Sequence, residues 1–234
     1  MNNIIYYNYK IKPEKMQSPL PEDFFDSQPE PSINELDPKD EHYLCPAVKH
    51  WHNNSWIIRM PFDLEFQYNK NKNQIDLLKN PYNLLKDLFL LNSMIYPNNI
   101  ELQIGVFYFF WTDVKEDIWL EIEHHPDLVN HNIRLIPGMF PMSVWNRPTS
   151  FGFKIIDPDK KVFIPKGTPL YYLKFYSKGF DTKFKLVKKH MTEELLDKHK
   201  KDALLKNFAP FKSWDIMKKR LGKNNKCPFN IWSN

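Results

Sequence analysis

The chain has 234 residues, 42% hydrophobic and 15% aromatic, and a formal net charge of +5. That apolar content supports a packed interior and excludes a chain that is disordered throughout. The longest apolar run, Val106 to Trp111, is too short to cross a bilayer as a helix.

The charge is unevenly spread. Residues 1–48 carry four Lys against nine acidic residues, 49–177 fourteen basic against thirteen acidic, and 178–234 fifteen against six, which gives −5, +1 and +9. An acidic front and a basic back can pair within one chain or between chains, so a protein partner or self-association is expected. Nucleic acid is the other partner that a basic tail can meet. Only four of the 33 basic residues are Arg, the residue that reads bases and forks onto phosphates. The amino terminus, MNNIIYYNYKIKPEK, lacks the basic start, apolar middle and small-residue cleavage site of a signal peptide, so a cytoplasmic protein with no membrane partner is expected. Cys45 and Cys227 both precede proline, lie far apart in sequence, and are expected to be free thiols.

In chain order, residues 1–48 read as an extended arm. Seven prolines and no glycine fall within 11–48, and proline holds itself and the residue before it in extended backbone. Phe24, Phe25 and Leu36 are the anchors that would dock this arm. A β domain is expected over 49–190. It starts with alternation from Trp56 to Phe66, read as a strand, and the polar run Tyr68–Gln74 (YNKNKNQ) reads as a turn. The segment 81–96 (PYNLLKDLFLLNSMIY) fits a short helix, an apolar loop or a strand. Ile100–Thr112 reads as a strand with its even-numbered side chains on one face. Asp113–Asp117 would turn it back into Ile118–Glu123 as a long hairpin. From Ile133 to Tyr176 short apolar alternations are cut every eight to twelve residues by Pro, Gly or Asp-Pro, the cadence of an antiparallel sandwich or barrel. Gly167 in Pro-Lys-Gly-Thr supplies a turn that needs its backbone. Residues 191–234 form a basic helical tail, with Thr192 capping a helix to about Asn207 and Ser213 with Asp215 opening a second one stopped at Gly222. The fold class is therefore mainly β, antiparallel and sandwich or jelly-roll-like, with two C-terminal α-helices.

Three constellations carry chemistry. His50 and His52, in KHWHNN, would share a face if the segment were a strand, and both imidazoles would meet one metal. Glu121, Glu123 and His125, in WLEIEHHPD, fall on one face of a strand, opposite Ile118, Leu120, Ile122 and His124. Carboxylates beside an imidazole bind a cation or do acid–base work, and they are also the ordinary solvated face of a half-buried strand. Trp145 and Arg147, in Trp-Asn-Arg-Pro, with Trp119, offer stacking and an anion clamp near those carboxylates. The ligand site is thus expected at Glu121, Glu123, Arg147, Trp145 and Trp119, and the metal site, if one exists, at His50, His52 and His125.

The stretch Ile155–Phe175, closing with Ile-Pro-Lys-Gly-Thr-Pro-Leu-Tyr-Tyr-Leu-Lys-Phe, resembles the last part of nucleotide-processing jelly rolls of the dUTPase and dCTP-deaminase type. Asn146–Ser150 is similar to their Ser-containing phosphate loop, while their glycine-rich hairpin and catalytic Asp have no counterpart here. The phrases LCPAVKHWHNNSWIIRMPFDLEF, MFPMSVWNRPTSFGF and IPKGTPLYYLKF together resemble those of uncharacterised proteins of tailed phages, notably marine ones. That resemblance implies a location in the host cytoplasm and brings no activity with it. The function expected is a non-enzymatic, phage-type accessory protein acting through protein binding or self-association, with no cofactor. Two alternatives stand beside it. One is a metal-dependent enzyme of the non-haem oxygenase kind, using iron or another divalent metal. The other is a nucleotide-binding or nucleotide-hydrolysing domain centred on Arg147 and Ser150.

Overall fold

The computed structural model describes residues 2–9, 28–79, 95–96, 99–114, 117–143, 149–178, 182–190, 192–195 and 197. In chain order its strands are β1 (Asn2–Tyr9), β2 (Glu30–Pro31), β3 (Ser55–Arg59), β4 (Leu64–Asn69), β5 (Gln74–Lys79), β6 (Ile95–Tyr96) and β7 (Asn99–Trp111). They continue with β8 (Trp119–His124), β9 (Ile133–Leu135), β10 (Gly138–Pro141), β11 (Thr149–Ile155), β12 (Val162–Ile164), β13 (Pro169–Tyr176) and β14 (Lys183–Lys188). Two helices, α1 (Glu41–Leu44) and α2 (Pro46–Asn53), join β2 to β3.

The strands make a six-stranded sheet in the order β14-β1-β7-β11-β9, with β6 also on β7, and a five-stranded sheet in the order β10-β8-β13-β3-β2. A small third sheet runs β12-β4-β5. Pairing is antiparallel except between β1 and β14, which run parallel with Ile4 opposite Lys185. One core holds all three together, joining Ile5 and Tyr108 of the first sheet, Ile58, Leu120 and Leu173 of the second, and Phe66 of the third. The described part of the molecule is thus mainly antiparallel β, in the sandwich class expected.

The elements depart from the sequence reading in three places. The apolar stretch 56–66 is two strands in two sheets, because Pro61 and Phe62 interrupt it. β3 stays on β13 and β4 passes to β12. The partner stretch bends at the same level, where Pro165, Lys166, Gly167 and Thr168 form a turn closed by Thr168 N–H to Pro165 O at 3.2 Å. Gly167 has φ +86, the left-handed conformation that glycine adopts without steric cost. The corner is tied by Gly167 N–H to Met60 O at 2.8 Å and Lys166 N–H to the Asp63 carboxylate at 2.8 Å.

Second, residues 100–123 are not a hairpin. β7 lies in the six-stranded sheet and β8 in the five-stranded one, and the link between them crosses the sandwich. The alternation was real, since Ile100, Leu102, Tyr108 and Phe110 face the core, as do Ile118, Leu120 and Ile122. Those two apolar rows belong to different sheets.

Third, the first residues are not part of an arm. β1 sits between β14 and β7, with buried Ile5 and Tyr7 in the core. The turn expected at 68–74 is present, with Asn73 at φ 49 between β4 and β5. Residues 193–195 are helical, and Thr192 Oγ1 accepts from Leu195 N–H at 3.3 Å, the capping bond expected there. Phe24, Phe25, Cys227, the second tail helix and all of 81–96 except Ile95–Tyr96 lie outside the described residues.

Candidate functional site

The outer face of the five-stranded sheet is where the polar groups of interest meet. β13 reads Pro-Leu-Tyr-Tyr-Leu-Lys-Phe-Tyr. Period-two geometry sends Leu173 and Phe175 into the core and Tyr172, Lys174 and Tyr176 outward. The neighbouring β8 sends Trp119, Glu121 and Glu123 to the same side, in register with Tyr176, Lys174 and Tyr172. Long polar side chains from adjacent strands therefore interlock. Tyr176 donates its hydroxyl to Glu121 at 2.5 Å, and the Lys174 ammonium pairs with Glu123.

The segment from β2 to α2 lies over this face. Asp40 caps α1 by accepting from His42 N–H at 3.0 Å, and Pro46 opens α2 directly after Cys45. Proline suits a first helical position because its missing N–H has no partner there anyway. α2 presents Trp51 over the sheet, with the Lys174 ammonium 3.8 Å from the ring centroid and the Tyr172 ring edge-on at 4.9 Å. The 3-10 turn Ser32–Glu35 supplies the latch. Glu35 accepts from the Tyr172 hydroxyl at 2.9 Å, lies 3.2 Å from Nε2 of His125, and stands 3.8 Å from the Arg59 guanidinium. Arg59 also holds Glu30 at 2.8 Å. Ser32, fully buried, sits 3.0 Å from Nδ1 of His52.

These contacts set the protonation behaviour. Burial holds the His52 imidazole below its usual pKa, partly opposed by hydrogen bonding with Ser32 and the charge of Glu35. Burial lowers His124 as well, helped by the nearby Arg134, and its Nδ1 is buried without a hydrogen-bond partner. Burial raises the phenols of Tyr172 and Tyr176 far above their ordinary value, reinforced by the carboxylates of Glu35 and Glu121 that accept from them. Both are fixed neutral donors at physiological pH.

Between α2, β13 and the start of β14 there is a cavity of about 330 Å³. Ala47, His50 and Trp51 form its helical wall, Lys174 and Tyr176 its floor, and Thr182 borders it on the β14 side. Asn54 pins the corner, donating to Thr182 O at 2.7 Å and accepting from Phe184 N–H at 3.2 Å. The Lys174 side chain is only 7% exposed.

Of the residues expected to bind, Glu121, Glu123 and Trp119 lie on this one face, with Glu121 and Glu123 one bond behind the cavity floor. Trp145 and Arg147 lie outside the described residues. The metal reading of the histidines fails on geometry. His50 and His52 are on a helix, where residues two apart point about 200° from each other. His50 borders the cavity and His52 turns to Ser32. His125 has left the strand to cap the 3-10 turn Pro126–His131 and face Glu35. Among the described residues no three His, Cys, Asp or Glu side chains are grouped so as to hold a metal ion. Sequence reading passed over Lys174, Tyr172, Trp51 and Glu35. A signal existed for the first, since Lys174 is the lone charge in the apolar run Leu170–Tyr176.

No protein-family model and no curated protein matches the chain. Among solved structures, a native EIAV dUTPase is similar at a TM-score of 0.36 and 7% identity, over 81% of this chain and 97% of that one.

Proposed function

We propose that this protein is a non-enzymatic, phage-type accessory protein and that it works by binding another polypeptide or a second copy of itself. The binding face in this reading is the outer side of the five-stranded sheet, along α2. One observation carries it: an almost fully buried lysine borders a cavity whose helical wall adjoins an exposed apolar patch. Leu44 is 72% exposed, and Pro46 and Ala47 beside it are exposed too. Interface hot spots cluster in desolvated pockets, and exposed apolar groups beside one add area for a partner to cover. The polar groups under the cavity already have partners, the Lys174 ammonium in Glu123 and the Tyr176 hydroxyl in Glu121. Such a set suits recognition with no change of protonation better than acid–base turnover.

Lys49, whose ammonium lies 4.4 Å over the Tyr43 ring, gives a native reporter on this face. Amine-reactive cross-linking in the producing cell should join Lys49 to a second polypeptide or a second copy, and Leu44→Asp should abolish the link. A chain that stays monomeric and uncross-linked at Lys49, or whose links survive Leu44→Asp, would refute the reading.

A further inference from the structure

We infer that the cavity beside Lys174 takes one aromatic side chain of the bound polypeptide, with a neutral carbonyl oxygen of the same residue accepting from the Lys174 ammonium. The inference rests on the protein-binding reading and specifies what enters.

Size is the first argument. A cavity of about 330 Å³ lies at the small end of ligand pockets, which run roughly 300–1,000 Å³. It suits a single residue more than an extended cofactor.

The walls give the second. Trp51 and Tyr176 are both cavity-lining aromatics, and the Tyr176 hydroxyl is turned away to Glu121. Their rings and the Ala47 methyl contribute apolar surface for a guest, beside the polar lining residues His50, Asn54, Ser55 and Thr182. Aromatic groups gain most from such contacts, by about 0.5–1.5 kcal/mol beyond area burial.

The third is donor accounting. An ammonium has three N–H donors and no acceptor. Glu123 and the Trp51 ring account for two directions at Lys174. A buried, charged donor left over at a cavity calls for an acceptor in the guest. That acceptor is neutral, because Glu121 and Glu123 stand immediately behind the floor and outnumber the one ammonium between them. A phosphate or carboxylate would meet net negative charge. A backbone carbonyl meets none. Ser177 donates its hydroxyl to Thr182 Oγ1 at 2.6 Å, which leaves the Thr182 O–H as a further donor on the β14 side and again favours a guest that brings an acceptor.

The test is isothermal titration of the full chain with N-acetyl-L-phenylalaninamide and N-acetyl-L-leucinamide. Saturable binding of the aromatic amide is expected, at least tenfold tighter than the leucine amide and unaffected by inorganic phosphate. Lys174→Met keeps the stem and removes the donors, and should weaken the aromatic amide at least fivefold; Trp51→Leu should do the same. Melting curves check that each variant is folded, and the comparison of the two amides on the unaltered chain needs no variant at all. Equal affinity for the two amides, or phosphate competing for the site, would overturn the inference. If Lys49 still cross-links to a partner in a Leu44-dependent way while the amides fail to discriminate, the aromatic anchor falls and the protein-binding reading stands. If the cross-links are absent as well, both fall.

Discussion

Replacing Glu35 with alanine removes the acceptor that latches the β2–α2 segment onto β13, and the cost can be worked from its three contacts. The Tyr172 hydroxyl at 2.9 Å and His125 Nε2 at 3.2 Å both meet a carboxylate. Hydrogen bonds to charged groups contribute about 1.5–3 kcal/mol each. The Glu35 side chain is 25% exposed, so water recovers part of this, and the Arg59 contact at 3.8 Å adds little. His125, 4% exposed, cannot find water so readily and is left a buried, unmet ring nitrogen. Together these give about 3 kcal/mol. For a domain of this size that is roughly 6–12 °C in melting temperature. Glu35→Gln keeps one acceptor and should lose about half as much. Urea denaturation of Glu35→Ala, Tyr172→Phe and the double variant would give a coupling of about 1–2 kcal/mol between the pair. Hydrogen exchange should speed up over 32–53 before the rest of the sheet. A loss below about 0.5 kcal/mol, or zero coupling, would show that the segment is held by its packing alone.

Three further outcomes are expected. Burial depresses the pKa of His52 and His124 below the ordinary 6.5, so the unfolded chain takes up their protons first. Stability should be full above about pH 6.5, fall as pH drops from there through the folded-state values, and level off below them; urea midpoints at stepped pH would show this, and His52→Asn should flatten the slope. Val162→Asp should cost about 4 kcal/mol or more by denaturant titration, because Val162 is fully buried, while Phe163→Thr next to it, where Phe163 is 43% exposed, should change stability by under about 1 kcal/mol. Gly167→Ala meets no atom within 4 Å yet must hold φ +86, so it should lose about 1–2 kcal/mol of stability to backbone strain by denaturant titration, whereas Gly152→Ala, which meets only Ile136 at 3.8 Å, should lose less.

Facing was legible in the sequence where pairing was not. The alternation of Ile118, Leu120 and Ile122 against Glu121 and Glu123 says which side chains leave water, and the core contains the former. It is silent on neighbours, because two apolar rows meet equally well side by side in a hairpin or face to face across a sandwich. β7 and β8 take the second course. His50 and His52 were misplaced for a different reason. A period of two in KHWHNN implies a strand, whereas the segment is helical from Pro46, a residue suited to a first helical position. Lys174 was hard to see because its meaning depends on residues far away in sequence, Trp51 and Glu123, which only the β13–β8 pairing and the overlying helix bring to it.

The latch and the cavity are parts of one mechanical unit. Glu35 fixes the 3-10 turn, Ser32 of that turn holds His52, and the helix that carries His52 also carries Ala47, His50 and Trp51 into the cavity wall. Protonation of His52 opposes its burial, so acid is expected to loosen the helix that walls the cavity. Linkage then runs in both directions. A group seated between α2 and β13 would favour the docked helix and with it neutral His52, so binding is expected to lower the His52 pKa further, which an NMR titration of the imidazole with and without the aromatic amide would show. The polar groups of this face are therefore not a passive solvated strand surface. They link the position of a helix, the shape of a cavity and the charge of a histidine on the outside of the sheet.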